Sequence, residues 1–442
     1  MNEISDTNIA SISDEETVLI LVKYEKSQDT MRNIIRQHLG EKVFSNIVAA
    51  TIQAKSIGVI RYLNTINFVL NQVIKQNSIK GITILDMNRL RLALFEGIWQ
   101  KIPFRDLISL IKTEEHLKVL AEALNFDLNT RVKSINYFGR TSLLYSHPSF
   151  LIETLSEKLG RNETIALLKK NNSPANIYLR INQLARKPDE ILANLKEIGV
   201  TLEKDKDITF LFVIKEGLME AVKSDFFRNG EIFIQDKASV FAVTTLDPKP
   251  GDIVLDACAA PGMKTQLMWE LMKGKGHLIA SDVSYNRLKS SQKRFQSIGV
   301  MNIDWINNDS SQTAILKANK ILIDAPCSST GILQSHPSYK WRLNKKWLFS
   351  IMTIQNKILE GIISRYSERS GTEIVYATCS VLPHEGENQI DSVLERYNIE
   401  LLDGPKQGSI GYANYNCTQK VRRFFPHIHG TNGFFIAHFR IK

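Results

Sequence analysis

The chain has 442 residues, a formal net charge of +10, 43% apolar and 23% charged residues, and an isoelectric point near 9.2. This length gives room for two or three full cores and the composition excludes a fibrous or largely disordered chain, while the positive charge favours a polyanionic partner. No apolar run reaches membrane-spanning length, and the acidic, polar start from Met1 to Glu16 lacks the pattern of a signal peptide, so a cytoplasmic, reduced protein is expected. Its cysteines, Cys258, Cys327, Cys379 and Cys417, are widely spaced with no C-x-x-C pair, which excludes the usual spacing of structural zinc.

In chain order, residues 1–16 hold too little apolar surface to offset chain entropy and are expected to form a disordered tail. Residues 17–145 read as a helical domain. Phe44, Ile47, Val48 and Thr51 recur at helical spacing, as do Leu90, Ala93, Leu94, Gly97 and Ile98, and no strand alternation interrupts them. Arg61, Arg89 and Arg91 are candidates for polyanion contact, against the alternative of a solvated face. Residues 146–229 form a small α/β module. Ser146 and Pro148 mark a helix start. A strand follows over 177–181, then a helix over 188–198 stopped by Gly199, and a second strand over 208–214.

From 230 to 442 strands and helices alternate. Strands are expected over 252–256, 277–281, 302–306, 320–324 and 373–377, which predicts an α/β fold with a mostly parallel, doubly wound sheet. The apolar, aromatic tail from Gly433 to Ile441 predicts added antiparallel edge strands.

The stretch Asp252 to Thr265, DIVLDACAAPGMKT, organises this domain. A strand runs into a small-residue turn, Cys258, Ala259, Ala260, Pro261, Gly262, Met263 and Lys264, and then a helix, so backbone N–H groups face a ligand at close range. It is neither a Walker A loop nor a Gly-x-Gly-x-x-Gly turn, so phosphate need not be the ligand. Acidic residues stand at successive strand ends: Asp256, Asp282, Asp309 and Asp324. Asp282 lies about one βαβ step beyond Asp256, where a carboxylate can accept hydrogen bonds from both hydroxyls of a ribose. Any one of these alone would read as a helix cap; in register they point to a nucleoside-containing ligand. Two cysteines occupy equivalent strand ends, Cys327 in Asp324-Ala-Pro-Cys-Ser and Cys379 in Tyr376-Ala-Thr-Cys-Ser, flanked by small and hydroxyl residues. That setting favours a reactive thiol. Cys417 reads as a buried structural residue.

Asp256-Ala-Cys-Ala-Ala-Pro-Gly, Asp324-Ala-Pro-Cys-Ser, Ala377-Thr-Cys-Ser and Gly433-Phe-Phe-Ile-Ala together resemble the Sun/NOP2 family of S-adenosylmethionine-dependent RNA cytosine-C5 methyltransferases. Leu90-Arg-Leu-Ala-Leu-Phe-Glu and Tyr145-Ser-His-Pro resemble the branch with an all-α NusB-like N-terminal domain, which includes the bacterial small-subunit rRNA enzyme. The resemblance implies a Rossmann-like methyltransferase domain whose cofactor loop is Cys258 to Lys264, with Asp282 on the ribose, Asp309 near the adenine, and Asp324 near the methionine end and the target base. It assigns attack on cytosine C6 to Cys379, whose adduct makes C5 nucleophilic, and release of that adduct to Cys327. The second cysteine distinguishes this pattern from DNA cytosine methyltransferases, in which the Pro-Cys cysteine attacks.

A base must leave its stack to reach such a site. Tyr339, Lys340, Trp341, Arg342, Lys345 and Lys346 interleave aromatics and cations just after the Cys327 loop and are the candidate RNA contacts, with a solvated helix entry as the alternative. Met263 stands where the family usually has glycine, so its side chain is expected to crowd the loop, and Ser329 stands where glycine is common. The reading is a monomeric enzyme acting on RNA, ribosomal RNA before transfer RNA, with no metal and no membrane. The remaining alternative is a ribosome-assembly factor that keeps the domain as a scaffold.

Overall fold

The computed structural model describes residues 6–185 and 187–442, arranged as two compact units. One unit runs up to Ser173 and also takes in Leu333–Asn344; the other comprises Pro174–Ile332 and Lys345–Lys442. Among the described residues no helix is long and apolar enough to cross a membrane.

The first unit is helical. Its longer helices are Asp6–Glu25, Met31–Gly40, Asn46–Arg61, Leu63–Gln76, Ile84–Phe95, Glu114–Leu124 and Tyr137–Tyr145, followed by the stretch Ser149–Asn171, which Gly160 at φ 77° and ψ 166° breaks into two helices. Thr30, Ser45, Thr83, Thr113 and Asn136 each cap a helix start by accepting a backbone N–H on the side-chain oxygen. Ile20, Leu21, Ile52, Val59, Ile66, Leu70, Leu90, Ala93, Leu94 and Leu120 meet in one core.

The expected tail is corrected here. Residues 6–16 are the first half of a helix, because Ser13 and Thr17 are fully buried, Ile12 packs on the core and Asp14 pairs with Lys55; residues 1–5 lie outside the described residues. Ile47 is 65% exposed, and the buried face of its helix is instead Val48, Ile52, Ser56, Val59 and Ile60. Ser146 closes the helix before it rather than opening the next, in a left-handed conformation at φ 52°. The candidate arginines are engaged within the protein. Arg61 donates to the Gln334 carbonyl at 2.7 Å, Arg89 pairs with Asp86 at 2.8 Å, and Arg91 reaches Asn67 at 2.8 Å as well as Glu25.

Leu333–Asn344 corrects a further expectation. The Lys340 side chain is fully buried and its ammonium donates to the Arg61 carbonyl at 3.0 Å, the Ser146 carbonyl at 3.0 Å and Asn172 Oδ1 at 2.7 Å. Trp341 packs on the helical core and donates its indole N–H to the Ile60 carbonyl at 2.8 Å. These two residues therefore anchor the segment to the helices; Lys340 is closed to solvent and Trp341 is partly buried. Burial pushes the Lys340 pKa well down, with Arg61 adding to the effect.

The second unit holds two sheets. The smaller is antiparallel, in the order Thr201–Lys204, Leu211–Glu216, Ile177–Ile181, Ile232–Ile234, with helix Pro188–Glu197 packed on it. Two of its strands, Thr201–Lys204 and Ile232–Ile234, were not expected from sequence. Arg180, on the central strand, is fully buried, donates from Nε to Gln235 at 2.7 Å, and pairs with Glu270 and Gln266 on the helix Met263–Leu271. That buried pairing joins the small sheet to the domain that follows.

The larger sheet runs in the order Ser409–Ile410, Arg422–Phe424, Phe434–Ile441, Glu373–Thr378, Lys320–Asp324, Ile253–Asp256, His277–Asp282, Asp304–Asn307, with Ile399–Leu402 also paired to Phe434–Ile441. The five strands from Glu373–Thr378 to Asp304–Asn307 are parallel, and the rest are antiparallel additions. Phe434–Ile441 is antiparallel as expected but is not an edge, since strands flank it on both sides; its buried Phe435, Ile436, Ala437 and Phe439 explain why it lies inside.

Candidate active site

Chain order in the parallel sheet reverses between Ile253–Asp256 and Lys320–Asp324, which are neighbours, and the crevice beyond the carboxyl ends at such a point is where ligands bind in open α/β sheets. The register places Asp256 opposite Leu322 and Asp324 opposite Ala377, so the candidate loops emerge side by side.

The first loop is the turn from Ala257 to Gly262. Ala257 N donates to the Leu322 carbonyl and Ala259 N to the Ser281 carbonyl, which fixes the turn to both neighbouring strands. The Ala260–Pro261 bond is cis and Gly262 has φ 100°, a region open to glycine and strained for other residues. Gly262 opens the helix Met263–Leu271 with no side chain capping it, so the first-turn amides face the crevice end of the helix. Met263 lies inside that helix at ordinary helical geometry, so its position does not demand glycine.

Asp282, buried at the next strand end, accepts from Ala260 N at 3.1 Å and Ser284 N at 2.9 Å, and Arg287 lies 3.8 Å away. Val283 beside it is 71% exposed. Asp309 caps the short turn Ser310–Gln312 through Ser311 N at 2.9 Å. Asp256 is buried, accepts from the Thr265 hydroxyl at 2.6 Å on one oxygen, and keeps its other oxygen without a partner. Burial raises its pKa to about 7, with the Asp324 charge adding to the rise and the Thr265 hydroxyl opposing it.

Lys264 donates to Asp324 at 2.5 Å. Burial works against the Lys264 charge, but the Asp324 carboxylate outweighs it and raises the ammonium above its ordinary pKa. Three positions further along, Cys327 Sγ lies 3.0 Å from Cys379 Sγ, although the two cysteines come from separate strand ends. The hydrogen bond to Cys379, then burial, then the charges of Cys379 and Glu385 push the Cys327 thiol well above its ordinary value. Cys258 is also pushed well up, first by burial and then by Asp256, Asp324 and Asp282. Cys417 is fully buried in the hydrophobic core, as expected.

The Cys327 loop and the Cys379 loop are tied by backbone contact. Gly331 N donates to the Cys379 carbonyl at 2.9 Å, and Gly433 N donates to the Gly331 carbonyl at 2.8 Å. Ser329 takes φ 58°, the left-handed conformation for which glycine is favoured, and Cys379 Sγ lies 3.7 Å from its hydroxyl.

Sequence reasoning missed the residues behind these loops: Glu385, Gln355, Arg423 and Glu387, all fully buried or nearly so and all polar. Glu385 sits a few residues past Cys379 in Leu382-Pro-His-Glu, a spacing that invited no motif. Arg423 pairs with Glu387 and donates to the Ser380 carbonyl at 3.2 Å and the Leu382 carbonyl at 3.1 Å, but it is distant in sequence, so only the fold reveals it. Of the candidate RNA contacts, Lys345 and Lys346 are exposed at the start of the helix Lys345–Tyr366, Tyr339 and Arg342 are half-buried, and Lys340 and Trp341 are engaged as described.

Residues 243–440 match the family described as 16S rRNA methyltransferase RsmB/F, and residues 147–217 match the ferredoxin-like domain of RsmF/B-like methyltransferases. The chain is 26% identical over 404 residues to the ribosomal RNA small subunit methyltransferase B of Photorhabdus laumondii, with 87% of this chain and 89% of that one covered. It is 29% identical over 311 residues to the 28S rRNA (cytosine(4447)-C(5))-methyltransferase of Homo sapiens, covering 68% of this chain. The chain spans only 38%, 39% and 43% of the length of the human, mouse and Caenorhabditis elegans relatives. Among solved structures, the crystal structure of PH0851 has the same fold, with a TM-score of 0.77 at 24% identity, over 97% of this chain and 98% of that one. NSun6 from Pyrococcus horikoshii, solved with SFG, aligns at a TM-score of 0.60 and 22% identity over 67% of this chain and 99% of that one. Through residues 147–217 and 243–440, the chain belongs to the RsmB/F methyltransferase family.

Proposed function

We propose that this protein methylates C5 of cytosine in RNA, with small-subunit ribosomal RNA as the favoured substrate, using S-adenosylmethionine and a covalent Cys379–C6 adduct that Cys327 helps to release. The observation that carries the reading is the pair of thiols 3.0 Å apart at the sheet's reversal point, beside the Lys264–Asp324 pair. Two thiols on separate loops suit an addition and release sequence, with one sulfur to attack and the other to act on the adduct.

The residues present fit the cofactor. The uncapped start of the helix Met263–Leu271 suits a carboxylate, Asp282 stands where a ribose is held, and the unpartnered oxygen of buried Asp256 lies at the foot of the same loop. SFG, with which NSun6 was solved, is an analogue of S-adenosylmethionine. When bound, S-adenosylmethionine supplies an electrophilic methyl group.

The chain's own residues do the rest. Cys379 adds to C6 as a thiolate, which raises electron density at C5. Asp324, held by Lys264, is proposed to hydrogen-bond the cytosine edge and balance charge at N3. Cys327, whose sulfur lies 3.0 Å from that of Cys379, is proposed to take the C5 proton after methyl transfer, so that the C6–S bond breaks and Cys379 leaves as a thiolate. Asp309 is proposed to face the adenine, and Lys345 and Lys346 to meet phosphate. The helical unit is proposed to be a NusB-like RNA-binding domain, and the relatives' names support ribosomal RNA.

The test is methylation in vitro with labelled S-adenosylmethionine and, separately, deproteinised small-subunit rRNA and total tRNA, followed by digestion to nucleosides. Label in 5-methylcytidine from rRNA is expected. Label from tRNA alone would change the substrate, and RNA binding without label would favour the assembly-factor alternative.

A further inference from the structure

Behind the two thiols lies a buried polar cluster that the proposed chemistry does not use. Glu385 is fully buried and its carboxylate gathers donors from both cysteine loops. On one oxygen it accepts from Ser328 N at 2.6 Å and Gln355 Nε2 at 3.1 Å; on the other it accepts from the Ser328 hydroxyl and, at 2.5 Å, from the Ser380 hydroxyl. Ser328 follows Cys327 directly and Ser380 follows Cys379 directly. One carboxylate therefore touches the residue after each thiol.

Its surroundings stiffen that link. Thr330 is within 3.2 Å of the Ser328 hydroxyl and 3.0 Å of the Ser380 hydroxyl, and it accepts from Val381 N at 3.1 Å. Gln355, from the helix Lys345–Tyr366, also donates to the Pro326 carbonyl at 2.9 Å, so the loop before Cys327 is braced as well. The Tyr376 hydroxyl donates to the backbone carbonyl of Glu385 at 3.0 Å. A buried carboxylate costs much desolvation unless donors surround it, and apolar side chains fill such a space at less cost. The donors here come from the two cysteine loops and the helix behind them.

We propose that Glu385 is the positioning residue of the two-cysteine centre, holding the Cys327 loop to the Cys379 loop so that attack and release share one geometry. It touches neither substrate nor cofactor and acts through Ser328 and Ser380. The catalytic meaning rests on the function proposed above, whereas the geometric claim stands on the thiol separation itself. Glutamine can replace it in shape: its carbonyl oxygen can accept from Ser328 N and Gln355, and its amide can donate to hydroxyls that turn towards Thr330. Alanine removes every link.

The test uses Glu385→Ala and Glu385→Gln in the full chain. It measures bridging of Cys327 to Cys379 by a short thiol-to-thiol reagent, mapped by peptide mass, together with kcat, KM and cofactor affinity. Glu385→Ala is expected to slow bridging at least about tenfold and to lower kcat by up to about 10²-fold, with cofactor affinity within about twofold, because misplacing a reacting group by an ångström has costs of that size. Glu385→Gln should restore most of both. A folded Glu385→Ala that bridges and turns over at wild-type rates would overturn the proposal, as would losses that match the unfolded fraction. Should Glu385→Ala not fold, Ser328→Ala and Ser380→Ala each cut one link; slower bridging in either supports the proposal and unchanged bridging in both overturns it. Slowed bridging in a protein whose wild type never methylates RNA would keep the positioning role and discard the proposed function.

Discussion

Asp256 shows how one side chain carries both stability and site chemistry. Its folded pKa of about 7 lies above the ordinary value of 3.8, chiefly through burial. The folded protein therefore binds the proton more tightly than the unfolded chain, and this contribution is complete below the ordinary value and is lost as pH rises through about 7. Asp256→Asn removes the charge while leaving an oxygen for the Thr265 hydroxyl. The variant's Tm, relative to wild type, should rise by a few degrees between pH 5 and pH 8, read by thermal unfolding at both; an unchanged difference would contradict the raised pKa. Asp256, Asp282, Asp324 and both cysteines were legible because β-branched runs end at them and small residues follow. Glu385 and Arg423 were not, since a buried glutamate looks in sequence like any surface one. Met263 looked like a departure that would crowd the loop, yet its helical geometry needs no glycine.

Elements differed in how much of their partner lies nearby in sequence. Four of the five parallel strands were readable because burial on both faces demands apolar runs, whereas Asp304–Asn307 is a mostly exposed edge strand and lies slightly beyond the expected 302–306. Thr201–Lys204 is mostly exposed and carries no alternation, and Arg422–Phe424 gains its meaning only by pairing with Phe434–Ile441. The segment Leu333–Asn344 misled for a related reason. Interleaved cations and aromatics have one composition whether they meet RNA or fill a helical unit, and the carbonyls that hold Lys340 come from distant residues. Lys340→Ala is accordingly expected to destabilise the helical unit by about 1–3 kcal/mol, because it strips donors from buried acceptors. Lys346→Ala should leave Tm unchanged and lower the salt dependence of RNA binding by about one unit of slope. Denaturant melts and RNA titrations at several salt concentrations separate the two; a Lys340→Ala protein with wild-type stability and weakened RNA binding would restore the contact role.

At the scale of the whole molecule, sequence order explains the division of labour. The chain builds a helical unit, a small antiparallel sheet and a doubly wound sheet in turn, and returns Leu333–Asn344 to the helical unit directly after the Cys327 loop. The net charge of +10 suits a partner made of phosphates. The central claim is that Cys379 forms a bond to RNA and Cys327 lets it go. Cys327→Ala and the double variant Cys327→Ala/Cys379→Ala should each be incubated with labelled small-subunit rRNA and S-adenosylmethionine, then run on a denaturing gel. A labelled band at the mass of protein plus RNA in Cys327→Ala, absent from the double variant, is the predicted result. Free RNA alone in both lanes, from folded proteins that bind the cofactor, would contradict the covalent mechanism.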